Sequence, residues 1–395
     1  MSEQSPLLSQ RSRVQPFRVM QMLDLVHRRR REGKSTIMFC AGQPVTGAPE
    51  AVLEEAEIAL RSGPLGYTEV VGDREFRERI ADWHSATYGV QTSADNVIVT
   101  TGSSGGFLAA FLATLDPGDY VAMPAPGYPA YRNILEALGA RILDLRTGAD
   151  SRFQPTEKML RELEHTPKAV IITSPGNPTG TIIDPDELAR IARWCEANDC
   201  VLISDEDYHG MSFGRPLASA RQFSDKAIVV GTLSKYFSMT GWRVGWIIVD
   251  DGMVTAIENL QASLALCAPA IGQAAGRAAF TLEAAAELDG HVENYREARE
   301  VFVEQLPAIG LGTFADPDGG LYIWVDVSAH TDDSERWAHE LLDAKGVAVA
   351  PGVDFDPEQG HRWIRLSLCA SAQETREGVR LIGEFIDERL NVTRN

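Results

Sequence analysis

Between about Asn96 and Val249 the chain alternates short apolar runs with longer stretches in which apolar residues recur at helical spacing. The runs Asn96 to Thr101, Tyr120 to Met123, Ala140 to Leu145, Lys168 to Thr173, Cys200 to Asp205, Ala227 to Val230 and Val244 to Val249 are predicted strands. Most are continuously apolar, as in Ala169-Val170-Ile171-Ile172 and Val201-Leu202-Ile203, rather than alternating. A strand of that kind is covered on both faces. The pattern therefore predicts an α/β architecture, a mostly parallel seven-stranded sheet flanked by helices.

Ahead of this region the pattern predicts a polar tail over residues 1 to about 15, a helix from Phe17 to Arg31 and a short strand from Ile37 to Ala41. The basic run His27 to Arg31 suits the C-terminal end of that helix, with Gly33 as its stop. Behind it, helical stretches fill Asp251 to Leu306. After Gly312 the texture changes to shorter strands, Gly320 to Val327, Val347 to Ala350 and Trp363 to Leu368, and an amphipathic stretch from Gln373 to Leu390. These divisions predict a large domain over residues 46–285, a smaller α+β domain over 286–395, and an N-terminal segment, 1–45, that packs with the smaller one.

Composition adds exclusions. At 395 residues the chain exceeds what a single core usually serves. Its 37 basic against 56 acidic side chains give a formal charge of -19, which argues against nucleic acid or an anionic membrane as partner. An anionic ligand must then meet locally placed cations. The five cysteines are scattered without metal-site spacing, so no metal is expected, and they suit a reducing, cytoplasmic setting. No apolar run reaches membrane-spanning length, and Met1 to Gln15 lacks the apolar core of a secretion signal.

In an open α/β sheet, ligands collect at the carboxyl ends of the strands. Lys235 follows the run Ala227 to Val230, with the hydroxyls of Thr232 and Ser234 before it and Arg243 after Met239-Thr240-Gly241-Trp242. An amine available for a Schiff base, beside hydroxyl and guanidinium donors for an anion, is what a phosphorylated aldehyde cofactor requires. Upstream, Ser204-Asp205-Glu206-Asp207-Tyr208 ends another strand. Seen alone this is a structural or metal-binding acid cluster; beside such a cofactor, Asp205 would keep a pyridine nitrogen protonated and Tyr208 would reach a phenolic oxygen. The loop Ser174-Pro175-Gly176-Asn177-Pro178-Thr179-Gly180 would aim the Asn177 amide at the same oxygen. The segment Thr101-Gly102-Ser103-Ser104-Gly105-Gly106-Phe107 is ambiguous: it suits a phosphate at a helix start, and equally a nucleophile elbow with Ser104 as a hydrolase serine.

Taken in order and spacing, SPGNPTG, SDEDY, SK followed by MTGWRVGW, and TGSSGGF resemble the class I/II aminotransferases of pyridoxal phosphate (PLP) fold type I, particularly bacterial aspartate-aminotransferase-like members, from about Arg13 to the C-terminus. The resemblance implies a PLP enzyme that moves amino groups between an L-amino acid and a 2-oxo acid by a ping-pong route. It assigns Lys235 as Schiff-base residue and proton carrier, Asp205 at the pyridine nitrogen, Asn177 and Tyr208 at the phenolic oxygen, and Ser103, Ser104, Thr232, Ser234 and Arg243 at the phosphate. Tyr128 matches a ring that stacks on the pyridine, and Tyr131 is either a neighbour of that ring or plain core. Tyr67 matches a tyrosine that crosses to the neighbouring subunit, which implies a homodimer. For the substrate, Arg365 matches the carboxylate fork and Gly42 a small residue whose backbone closes over it. Asp207 departs from the pattern, since an apolar residue is common before the tyrosine, and the phosphate loop is unusually rich in Ser and Gly. A carbon–sulfur β-lyase uses nearly the same residues and remains the alternative, with the Ser104 hydrolase a remote one; the side-chain preference of the substrate stays open.

Overall fold

The computed structural model describes residues 7–394, so the predicted tail lies partly outside the described residues; from Leu7 to Pro16 the chain is exposed. β1 (Ile37–Phe39) precedes the main run of β2 (Val97–Thr100), β3 (Tyr120–Ala125), β4 (Arg141–Arg146), β5 (Ala169–Thr173), β6 (Val201–Asp205), β7 (Ile228–Thr232) and β8 (Gly245–Ile248). The seven strands β2 to β8 form one sheet in the order β2-β8-β7-β6-β5-β3-β4. β8 runs antiparallel to both neighbours, and the other pairs are parallel.

The continuous apolar runs have a direct cause. Alternate residues of one strand enter different cores: Val170 and Ile172 of β5 pack with Ile80, Leu188 and Ile191 on one face. Ala169 and Ile171 pack with Phe107, Phe111 and Leu135 on the other. Each fully buried Val or Ile is worth roughly 1.5–3 kcal/mol, so a polar residue at either phase would be costly. Only the edge strand β4 is substantially exposed.

β9 (Phe314–Ala315), β10 (Tyr322–Asp326), β11 (Val347–Pro351) and β12 (Trp363–Ser367) make a second sheet with β1, in the order β1-β11-β12-β10-β9. β1 is parallel to β11, with Ile37 opposite Val347. The N-terminal helix, Arg18–Arg31, sends Met22 and Val26 into the same core as Trp324, Trp337 and Phe385. The N-terminal segment thus joins the C-terminal sheet across most of the sequence.

Two details differ from the sequence pattern. The helical stretch from Asp251 to Leu306 is three helices, Asp251–Leu264, Ala270–Gly276 and Leu282–Gln305. The first break holds Leu266 at φ 61 and Pro269, which cannot continue a helix because its nitrogen has no hydrogen to donate. Two helices, Glu50–Arg61 and Arg74–Tyr88, also lie where the pattern predicted no element. Among the described residues no helix is long and apolar enough to cross a membrane.

Candidate active site

The carboxyl ends of β5, β6 and β7 face one cavity of about 510 Å³, closed on the far side by the second sheet and the N-terminal helix. Gly42, Ser103, Ser104, Tyr128, Asn177, Asp205, Tyr208, Ser234, Lys235, Arg243 and Arg365 all line it. Seven separated segments therefore bring these predicted residues to one place. Thr232 and Tyr67 do not line it. Thr232 stands behind Ser234, donating to its Oγ at 2.9 Å and accepting from its backbone N–H at 3.1 Å, so it braces the loop. Tyr67 is 84% exposed.

At one end of the cavity lies Asp205, almost fully buried. Its Oδ2 accepts from the Tyr131 hydroxyl and its Oδ1 from the Asp207 backbone N–H at 3.0 Å. Burial pushes the Asp205 carboxyl above its ordinary range, against the pull of those two donors and of Lys235. Glu206 turns the opposite way. Its Oε1 accepts from Ser204 Oγ at 3.0 Å, Ser219 Oγ at 3.0 Å and the Ala220 backbone at 2.9 Å, while Oε2 lies 3.3 Å from His209 Nδ1. Burial pushes Glu206 up to about 8 and His209 down to about 3, both shifts favouring the uncharged form of each group.

In the middle, Lys235 Nζ donates to the Gly42 carbonyl at 2.9 Å. Asn177 Nδ2 donates to the Tyr208 hydroxyl at 3.3 Å, which in turn donates to the Tyr322 hydroxyl at 3.2 Å. Arg365 is buried between rings, its guanidinium 4.0 Å from the centroid of Tyr322 and 4.6 Å from that of Phe355. It donates to Asn177 Oδ1 at 2.9 Å and to the Cys40 carbonyl at 2.7 Å, and its buried Nε has no partner.

At the opposite end, the helix Gly102–Thr114 begins with Gly102 at φ +66. A Cβ at Gly102 would lie 2.5 Å from Arg243 Nη2, so glycine is what lets the guanidinium rest against the helix start. Arg243 donates to the Thr240 carbonyl at 2.9 Å. The N–H groups of a helix start, a guanidinium and the hydroxyls of Ser103, Ser104 and Ser234 are together the chemistry that could hold a phosphate.

Two residues around Arg365 were not in the sequence reading. Tyr322, on β10, lines the cavity, and Phe355, in the turn after β11, backs the Arg365 guanidinium; nothing in their local sequence marks them. Tyr131 proves to be the partner of Asp205 rather than plain core; its position just after Tyr128, at the start of the same helix, was the available signal. The Ser104 hydrolase reading has no support here, because the cavity it lines contains no histidine.

The family model for aminotransferase class I and II matches residues 34–382. The chain belongs to the class I and II aminotransferases. This aminotransferase is 44% identical to a valine–pyruvate aminotransferase of Mycobacterium tuberculosis over 95% of this chain and 97% of that protein. A crystal structure of an aminotransferase from the same organism superposes with a TM-score of 0.94 at 43% identity, covering 96% of this chain and 99% of the other. The aspartate aminotransferase of Thermus thermophilus, solved with maleate, has a TM-score of 0.90 at 30% identity over 95% and 99% of the two chains. The aminotransferase depends on pyridoxal phosphate, and the lyase alternative is not favoured. Its cavity suits that cofactor: a carboxyl group at one end, an amine and a phenol–amide pair between, and a cationic, hydroxyl-rich cradle at the other.

Proposed function

We propose that this aminotransferase acts on apolar L-amino acids of the valine class with pyruvate as amino acceptor, and that Lys235, Asp205 and Arg365 carry the reaction. The observation that carries the substrate class is the wall of the cavity. Phe17, just before the N-terminal helix, and Val19, Met20 and Leu23 within it line the cavity together with Phe107, Ala130 and Ile134. The lining cations are Lys235, Arg243 and Arg365, each with work assigned already. Arg18 and Arg132 are engaged by Asp354 and Asp144, so among the described residues the cavity lining holds no further cation for a second substrate carboxylate. The name of the 44% identical relative agrees with an apolar donor.

When bound, pyridoxal phosphate supplies an aldehyde that captures amines and a ring that takes up the electrons released as the Cα–H bond breaks. Arg243, Ser103, Ser104 and Ser234 hold the phosphate. Asp205, steadied by Tyr131, holds the ring nitrogen protonated, and Asn177 and Tyr208 hold the phenolic oxygen. Tyr128 covers the ring face. Arg365 fixes the substrate carboxylate through a planar fork and so orients the Cα–H bond. Lys235, whose Nζ donates to the Gly42 carbonyl, would take the proton from the substrate Cα and deliver it to the cofactor. Gly42 closes on the substrate from the other side.

The highly exposed Tyr67, with exposed Leu65, Leu264, Leu266 and Leu282, supports a homodimer in which Tyr67 reaches the neighbouring subunit's cavity. The large and small domains divide within the helix Leu282–Gln305, the N-terminal segment belonging with the small one. A cytoplasmic location suits the five free cysteines. A donor and acceptor panel tests the substrate class: valine with pyruvate should exceed aspartate with 2-oxoglutarate by tenfold or more in kcat/KM, and the reverse order overturns it. Lys235→Ala should abolish turnover while leaving protein folded; retained turnover would remove Lys235 from its role.

A further inference from the structure

Asp207 is the acid in the cavity wall for which the reaction above has no use. It is nine-tenths buried. Its Oδ2 lies 2.6 Å from Ser103 Oγ, in the phosphate cradle, and its Oδ1 is sealed off without any partner. A carboxylate at this position would face a phosphate dianion at close quarters and repel it.

Asp205 sits two residues away in the same closed wall, and two such carboxyls do not both ionise. The donors decide which keeps the charge. Asp205 receives the Tyr131 hydroxyl and a backbone N–H, whereas Asp207 has one serine hydroxyl. The other titratable groups facing Asp207 are Tyr208 on its own segment, Tyr128 and Tyr131 from the opposite wall, and Lys235 and Arg243 from the segment after β7. Burial and Asp205 push the Asp207 carboxyl well above its ordinary range, against Ser103, Lys235 and Arg243.

A serine hydroxyl has one hydrogen to give. If Asp207 were ionised, Ser103 would spend that hydrogen on it and turn lone pairs toward the phosphate. We propose that Asp207 is a positioning residue that keeps its acid proton on Oδ2, donates it to Ser103 Oγ, and thereby frees the Ser103 hydrogen for the cofactor's phosphate. The inference rests on the PLP site proposed above and explains the unusual acid before Tyr208 together with the serine-rich loop.

The test uses cofactor-free full-length protein titrated at pH 7 with pyridoxamine 5'-phosphate and, separately, with pyridoxamine, which lacks the phosphate. Asp207→Asn, whose amide donates permanently, should bind the phosphorylated ligand within threefold of wild type. A tenfold gain would mean that a negative charge had been removed, and would overturn the proposal. Asp207→Leu and Ser103→Ala should each weaken that ligand about tenfold, with the double variant no worse than either single one, while pyridoxamine affinity stays constant. Unchanged binding in Asp207→Leu, or equal losses for both ligands, overturns it as well. If wild type itself fails to bind the phosphorylated ligand, the site assignment fails instead. Should the leucine variant not fold, the asparagine and Ser103→Ala results decide the matter.

Discussion

Arg365→Lys keeps the positive charge and removes the planar fork. In the structure the guanidinium spends one donor on Asn177 Oδ1 and one on the Cys40 carbonyl, and lies 4.0 and 4.6 Å from the ring centroids of Tyr322 and Phe355. An ammonium can neither span a carboxylate with paired bonds nor stack in that slot. One charge-assisted hydrogen bond lost is worth about 1.5–3 kcal/mol, and a desolvated cation over a ring contributes up to about 2 kcal/mol. Taking about 3 kcal/mol for the substrate-dependent share, kcat/KM should fall roughly a hundredfold. The assay is the half-reaction with valine, followed by the change in cofactor absorbance as the amino acid concentration is varied, with cofactor affinity measured in parallel. The expected result is a loss confined to the amino acid step, carried mainly by KM. A change under threefold, or an equal loss of cofactor affinity, would refute the assignment of Arg365 to the substrate carboxylate.

Glu206→Gln addresses the network behind the site. The folded Glu206 value of about 8 lies above the unfolded value of about 4.3, so its contribution to stability is fully present below about pH 4 and is lost as pH climbs toward 8. Wild type should therefore lose up to about 1.4 kcal/mol per pH unit relative to the glutamine variant between pH 5 and 8, read from urea unfolding at several pH values; parallel profiles would show Glu206 ionised in the fold. For Gly42→Ala, the new Cβ would fall 1.8 Å from the Tyr322 hydroxyl, so Tyr322 must leave its place against Arg365. Tenfold or larger increases in KM for both amino and oxo acid should follow; unchanged KM would mean that Gly42 plays no part in the substrate contact. Tyr131→Phe removes a donor to Asp205 while keeping the ring, and should slow the half-reaction about tenfold without changing the fold. A rate within twofold of wild type would leave Asp205 independent of Tyr131.

Much of the cavity lining was legible because several of the residues proposed to act there sit at or just after the end of an apolar strand. Lys235 follows β7, Asp205 ends β6 and Asn177 follows β5, so strand pattern and chemistry mark the same positions. The two-core sheet was legible for the same reason, since every residue of β5 and β7 is buried. The remaining walls come from packing between distant segments. Tyr322 and Phe355 meet Arg365 only because β10 and β12 pair antiparallel and the turn after β11 folds over them. Val19, Met20 and Leu23 read as one face of an ordinary amphipathic helix, and nothing local reveals that part of the face borders a ligand. The helix Arg74–Tyr88 carried signals that could have been used: Asp73 caps it by accepting from the Phe76 N–H at 2.9 Å, and Gly89 ends it at φ 66.

The parallel pairing of β1 with β11 has a mechanical outcome. It anchors the helix bearing the apolar wall to the sheet that bears Arg365, while Lys235, Asp205 and the phosphate cradle ride on the other sheet. On the proposed roles, what grips the travelling molecule and what grips the resident one are thus fastened to different frames. Were one frame to slide against the other, the proposed hold on the amino acid would loosen while the proposed seat of the vitamin-derived ring stayed intact, so a product could depart and a new acid arrive without reloading the enzyme.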